Sequence, residues 1–482
     1  MLARIYTALL GLLLVGLGAQ AQSLRARIER LLDQPAFANA FWGVEIRSLQ
    51  SGRIWYARNA RKSFVPASNL KLLTTAAALD QLGAEWRFET SLYADGPIAD
   101  GLLRGDLVVR GGGDPTIGAR FFGDNPLAVF EAWADSLLRG GVRVITGDII
   151  GDDDAFDDLP LGYGWSWDDE VYGYSAQISA LSFNENVIEV RLLAGAEPGS
   201  PARLVVRPET DYVRLYNQTL TLPADSALRE RYDRERAGNT FYVRTRLPVG
   251  QEVRARLSVD NPTLYFTTVL YETLQRRGIQ VLGRPRDVDE LSIKPDYGRM
   301  RLLWTHRSPP LREIVRVINK ISQNLYAELL LRALGRARFG VGSAEAGIRA
   351  ARESLVRAGL DTSRVVMVDG SGLSRLNLIT PQDLVKVLLF MRGHPHGDAF
   401  FESLPIAGVD GTLANRMRRG PARGRVRAKT GFVGHVRTLS GYLQTQRGEW
   451  LVFSLMANHY TVPTAAVNEA QDRLLELLVQ GR

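Results

Sequence analysis

Ser68-Asn69-Leu70-Lys71 sets a hydroxyl and an amine three residues apart, at the start of an Ala/Leu/Thr-rich segment that reads as helix over about 69–82. Residues i and i+3 share one helix face, so the Lys71 amine can touch the Ser68 hydroxyl. A serine hydroxyl is a poor nucleophile until a base removes its proton. A lysine serves as that base when burial and cationic neighbours lower its pKa. Phe64, Val65, Pro66, Ala67, Leu70, Leu72 and Leu73 surround the pair, which predicts a buried lysine rather than a solvated helix face. A helix starting at Ser68 also leaves that residue's N–H among the unpaired first-turn amides, where it can face an oxyanion.

Two more short motifs follow. Ser322-Gln323-Asn324 lies in the amphipathic run 311–334. A hydroxyl and an amide two residues apart reach one cleft only from a turn or a bent helix start. There the hydroxyl can relay a proton and the amide can hold a peptide carbonyl; helix capping is the plain alternative. Lys429-Thr430-Gly431 precedes the strand-like run 432–442. A glycine there lets a ligand approach the backbone, and the lysine can receive an anion. Each triplet alone is common. In the order S-x-x-K, S-x-N, K-T-G they form the set found in penicillin-binding proteins and β-lactamases.

These residues need elements to position them. Residues 44–49 and 53–57 flank Ser51-Gly52 and read as a β-hairpin just before the nucleophile helix. From about Arg87 the texture changes to short β-like runs between Gly/Asp/Pro turns, until about Pro295. Helical periodicity then returns at 311–334, and after Thr380-Pro381 to about Met391. Strands around 437–442 and 450–456 precede a last helix at about 465–478. Helices and hairpins at both ends of a β-rich block are the pattern of one domain inserted into another. The expected division is an outer domain at 22–87 and 296–482, which carries the three motifs, and an insert at 88–295, with a smaller all-β part near 190–285.

Composition narrows the class. A chain of 482 residues, 45% hydrophobic and 23% charged, is long enough for two or three globular domains. Arg4, an apolar run and Ala19-Gln20-Ala21 read as a cleaved export signal over 1–21. Export to the periplasm or the medium is therefore expected. No cysteine is present, which excludes disulfides, a thiolate nucleophile and a lipoprotein anchor. The His394-Pro395-His396 pair lacks acidic neighbours in ligand spacing, so no metal and no organic cofactor is expected. The net charge of +8 comes almost wholly from arginine. It favours anionic partners such as envelope polymers or membrane headgroups, with peripheral association. No nucleic-acid motif accompanies it. Lys62, Lys71, Lys294, Lys320, Lys386 and Lys429 are the only lysines, so a lysine inside a motif invites a chemical reason.

Over nearly the whole mature chain the sequence resembles the low-molecular-mass class C penicillin-binding proteins, the D-alanyl-D-alanine carboxypeptidase/endopeptidase family. Besides the three motifs, Gly113-Asp114-Pro115-Thr116, Gly164-Trp165-Ser166-Trp167-Asp168-Asp169, Ser182-Phe183-Asn184-Glu185-Asn186, Asp369-Gly370-Ser371-Gly372 and Gly408-Val409-Asp410-Gly411-Thr412 carry the likeness. The resemblance implies an α+β fold: a transpeptidase-like antiparallel sheet with helices, interrupted by a large β-rich insert. It implies Ser68 as nucleophile, Lys71 as base, Ser322 as proton shuttle and Asn324 as substrate-orienting amide. Lys429, Thr430 and Gly431 would receive the terminal D-Ala carboxylate, and the backbone N–H groups of Ser68 and Phe432 would form the oxyanion hole. Asp169 and Arg375 would contact the diamino-acid side chain of the stem peptide. Peptidoglycan peptides and β-lactam antibiotics are the implied partners. Phe432 departs from the family, which usually has Ser or Thr after K-T-G. The lost hydroxyl bears on how tightly the carboxylate is held, and on the balance of carboxypeptidase and endopeptidase work. A β-lactamase or esterase on the same fold, and a non-catalytic peptidoglycan-binding scaffold, are the competing readings.

Overall fold

The computed structural model describes residues 23–481; the expected export signal lies outside them. Its central feature is a five-stranded antiparallel sheet. Strands β1 (Phe41–Ser48) and β2 (Ile54–Arg58) come from the start of the chain. Strands β3 (Val426–Val433), β4 (Val436–Gln444) and β5 (Trp450–Asn458) come from its end. The order is β2-β1-β5-β4-β3, so β3 is an edge.

Both faces of this sheet are covered, and β5 shows how its sequence permits that. Leu451, Phe453, Leu455 and Ala457 join the core beneath α1 (Leu24–Leu32) and the last helix, Thr464–Gln480. Val452 and Met456 join the opposite core. Side chains alternate along a strand, so a strand buried on both faces reads as an unbroken apolar run. The opposite core belongs to the helical lobe: α2 (Lys71–Leu82), α3 (Leu311–Lys320), α4 (Asn324–Phe339), α5 (Ala344–Arg357), α6 (Pro381–Arg392) and α7 (Gly397–Ser403). The last helix is α8. Gly43 in β1 admits Phe64, whose ring lies 2.4 Å from where a Cβ would stand.

Three expectations about elements are corrected. The helix expected over 311–334 is two helices. It breaks at Ile321-Ser322-Gln323, where Ser322 takes φ +64°, a conformation no helix interior accepts. Gln323 caps the second helix by accepting from Leu325 N at 2.9 Å. The run 432–442 is not one strand. K-T-G lies inside β3, and Gly434-His435 turns the chain back into β4. Apolar content continued across that turn through Val433 and Val436, which hid it.

The third correction concerns the insert. Strand Arg301–Arg307 pairs antiparallel with Glu89–Asp95, from Arg301 opposite Ala94 to Arg307 opposite Glu89. The insert's sheet thus takes in a strand beyond residue 295. These two strands border Asp106–Arg110, Ile149–Asp152 and Pro285–Asp287 in one sheet. Nor is the region 190–285 all β. Helix Pro262–Arg276 packs Phe266 edge-on to Phe130 at 4.7 Å, inside the core shared with helix Ala128–Arg139. The small sheets end at Glu252–Ser258.

Candidate active site

The nucleophile turn is held from three sides. Ala67 and Ser68 belong to a short 3-10 turn that leads into α2. Ala67 has φ +47° although it carries a side chain, a strained conformation that only surrounding contacts maintain. Thr438 Oγ1 of β4 donates to Pro66 O at 2.7 Å. Asn69 Nδ2 donates to Ser440 Oγ at 2.7 Å. Gly431 of β3 passes so close that an added Cβ would stand 2.2 Å from Thr438 Oγ1 and 3.1 Å from Ser68 N. Any side chain at 431 would push the strand away from the turn.

Lys71 has no exposed surface. Its Nζ lies 3.0 Å from Ser68 Oγ, 2.6 Å from Asn324 Oδ1 and 2.6 Å from Ser371 O. Burial lowers its pKa to about 7, against the opposing pull of Asp369 and Glu328. This set of neighbours fits the neutral amine. Two N–H donors go to Asn324 Oδ1 and Ser371 O, and the lone pair is left facing the serine hydroxyl. The arrangement can therefore accept a proton from Ser68 near neutral pH.

Ser371 O is placed by a buried carboxylate. Glu328, at 0% exposure, accepts from Gly370 N at 3.0 Å and Ser371 N at 2.8 Å. Burial and Asp369 push its pKa up, against Arg332. Asp369 in turn accepts from Gly372 N at 2.8 Å, Ser374 N at 2.7 Å and Trp165 Nε1 at 3.0 Å. Gly372, at φ +79°, is required because a Cβ there would stand 1.9 Å from Ala67 O. Residues 369–372 thus brace the lysine and the nucleophile turn together.

Ser322 and Asn324 flank the helix break and enter the same cleft. Lys429 Nζ, also fully buried, donates to Ser322 Oγ at 2.7 Å and to Thr430 O at 2.7 Å. Burial, Lys71 and Arg437 hold Lys429 well below the ordinary lysine range. Ser322 accepts from Lys429, so its own proton is free to point into the cleft. Asn324 Nδ2 donates to Tyr174 O of the insert at 2.7 Å. Thr430 Oγ1 donates to Thr412 Oγ1 at 2.8 Å.

These groups line a cleft of about 460 Å³ with Ser68, Ser322, Asn324, Thr430 and Phe432 on its wall. Asp169 reaches it from the insert, accepting from Tyr174 OH at 2.5 Å. Arg375 does not line it. It is exposed and donates to Gly434 O at 2.7 Å, one step out on the rim. Phe432 is 54% exposed. The sequence reading missed Ser371, Glu328, Tyr174, Thr412 and Arg437. Ser371 and Tyr174 act through backbone carbonyls, which leave no trace in residue type. Glu328, in the middle of an amphipathic helix, looks like any exposed helix charge until the loop 369–372 folds over it.

The model of the D-Ala-D-Ala carboxypeptidase 3 (S13) family matches residues 24–480. The D-alanyl-D-alanine carboxypeptidase of Actinomadura sp. (strain R39) is 37% identical over 467 residues, 94% of this chain and 84% of that protein. The D-alanyl-D-alanine carboxypeptidase DacB of Haemophilus influenzae is 28% identical, over 87% of this chain and 85% of that one. The crystal structure of penicillin binding protein 4 from Haemophilus influenzae superimposes with a TM-score of 0.81 at 26% identity, over 94% of this chain and 99% of that chain.

Proposed function

Because the chain belongs to the D-Ala-D-Ala carboxypeptidase 3 (S13) family, and is a serine-type, penicillin-binding D-Ala-D-Ala carboxypeptidase acting on peptidoglycan peptides, we propose the following roles for its residues. Ser68 Oγ attacks the carbonyl of the penultimate D-Ala while Lys71 Nζ takes its proton. The oxyanion sits against the backbone N–H groups of Ser68 and Phe432. The C–N bond breaks, and the proton that Lys71 took passes through Ser322, which Lys429 holds in place, to the departing amine of the terminal D-Ala, leaving Lys71 neutral again. Water then adds to the ester. Lys71 takes the water's proton and returns one to Ser68 as the acid is released. Asn324 orients the peptide, and Thr430 meets the terminal carboxylate.

Lys71 carries this reading: it is wholly buried, 3.0 Å from Ser68 Oγ, and has a pKa of about 7. An ordinary surface lysine would be protonated and useless as a base. The same acyl-enzyme forms when the leaving amine is a diamino-acid side chain from a neighbouring stem, so cross-link cleavage is proposed as a second activity. Asp169 in the cleft and Arg375 on its rim are proposed to meet that side chain. Export to the periplasm or the medium, and peripheral association through the arginine-rich surface, complete the proposal.

The test is mass spectrometry after penicillin, alongside digestion of pentapeptide and cross-linked muropeptides. A stable adduct on the Ser68 peptide, with D-Ala or cross-link lost only with the wild type, is expected. Fast penicillin turnover without a lasting adduct points to a β-lactamase. No adduct and no digestion points to a scaffold.

A further inference from the structure

We propose that Arg437 is the anion anchor for the substrate's terminal carboxylate, taking over the task left open by the missing hydroxyl at Phe432. This rests on the peptidase reading of the site and names the residue that sets its preference for a free C-terminus.

Strand register places Arg437 there. Thr430 and Phe432 are two apart on β3, so they share a face. Phe432 pairs directly with Arg437 of β4, and Thr430 pairs with Leu439. Arg437 is therefore the diagonal neighbour of Thr430, within reach of a long side chain. Arg437, Thr430 and Phe432 all line the cleft that holds Ser68. A carboxylate received by the Thr430 hydroxyl lies beside the Arg437 guanidinium.

The guanidinium is prepared and unfilled. Its Nε donates to Asn468 Oδ1 of α8 at 2.6 Å. Its carbonyl accepts from Gln471 Nε2 at 3.3 Å, which fixes the strand to the same helix. The Phe432 ring lies 5.9 Å from the guanidinium carbon and flanks it. No carboxylate among the described residues pairs with it, whereas the adjacent Arg416 holds Asp472 at 2.6 Å. Burial and Arg416 push its pKa down to about 10, against the weaker pull of Tyr460 and Asp472, so an incoming anion would relieve an existing electrostatic cost. Holding Nε still while leaving the terminal nitrogens to a ligand suits a planar carboxylate.

Two acyl-D-Ala-D-Ala peptides test this, one with a free C-terminal carboxylate and one with a C-terminal amide. The readout is the ratio of their kcat/KM values in the wild type, Arg437→Met, Arg437→Lys and the Phe432→Thr/Arg437→Met double variant. In Arg437→Met the preference for the carboxylate should fall by roughly 10- to 100-fold, mostly through KM. Arg437→Lys should lose less, and the new hydroxyl in the double variant should restore part of the preference. An unchanged ratio in Arg437→Met overturns the proposal. So does an equal loss on both peptides in the Met and Lys variants, which marks a structural role. A wild type that cleaves neither peptide and takes no penicillin label overturns the peptidase reading itself.

Discussion

The floor and the rim of the cleft are built on different physics. On the floor, Lys71 and Lys429 are wholly buried, and each is hydrogen-bonded to more than one group. On the rim, Phe432 is half exposed, Arg375 holds only a loop carbonyl, and Arg437 carries no acidic partner among the described residues. Desolvation tunes a base, and it works only where water and alternative partners are kept out. Selection of a charged peptide end needs the reverse: groups left unsatisfied until the substrate arrives. The floor should therefore decide whether reaction occurs, and the rim on which peptide.

Substitutions can break or sharpen this contrast. The largest effect belongs to Ser68→Ala, which should reduce D-Ala release by about 10⁴-fold or more on every peptide and abolish penicillin labelling. Residual rim-dependent selectivity in that variant would contradict the division. Next is pH. Lys71 must be neutral to accept a proton and has a pKa of about 7. Acylation by penicillin should hence fall about tenfold per pH unit below that value and level off above it. The floor's geometry is tested by Gly431→Ala, whose Cβ would collide with Thr438 Oγ1 and Pro66 O. It should destabilise the protein by about 1–3 kcal/mol in thermal unfolding and slow all substrates alike.

Glu328→Gln should act more gently. It removes a negative charge that raises the Lys71 pKa, so the acid limb of the pH profile should move to lower pH. A limb that stays in place would show that Glu328 acts only by holding Gly370 and Ser371. Asp169→Asn is the smallest change. It should lower kcat/KM by about threefold to tenfold on peptides with a free diamino-acid side chain, and little on acetylated ones. Equal loss on both would move Asp169 from the rim's task to the floor's.

Sequence legibility follows the same divide. Ser68-x-x-Lys71 was legible because helical spacing fixes which side chains meet, and apolar neighbours announce burial. K-T-G was legible as a motif, yet the strand around it was misjudged, because a two-residue turn through Gly434-His435 interrupts no apolar pattern. The helix break at Ser322 was hidden for a related reason: residues 311–334 keep an amphipathic rhythm across it, and only Lys320, bonded to Leu404 O and Asp410, shows what holds the bend. The insert's return strand, Arg301–Arg307, pairs with residues over two hundred positions earlier, and short-range periodicity carries no record of such a partner.

That last kind of pairing sets the order of events in the molecule's making. Strand β1 finds its partner β5 only across some four hundred residues, with Val44 opposite Leu455. During synthesis the serine and its lysine emerge early, but the sheet that steadies their turn is missing its three C-terminal strands. Contacts so distant along the chain form late and slowly. A nascent or truncated chain should accordingly be inert toward wall peptide, and ribosome-bound lengths ending before residue 426 should take no penicillin. The enzyme holds its nucleophile from the beginning and gains the use of it only at the end of synthesis.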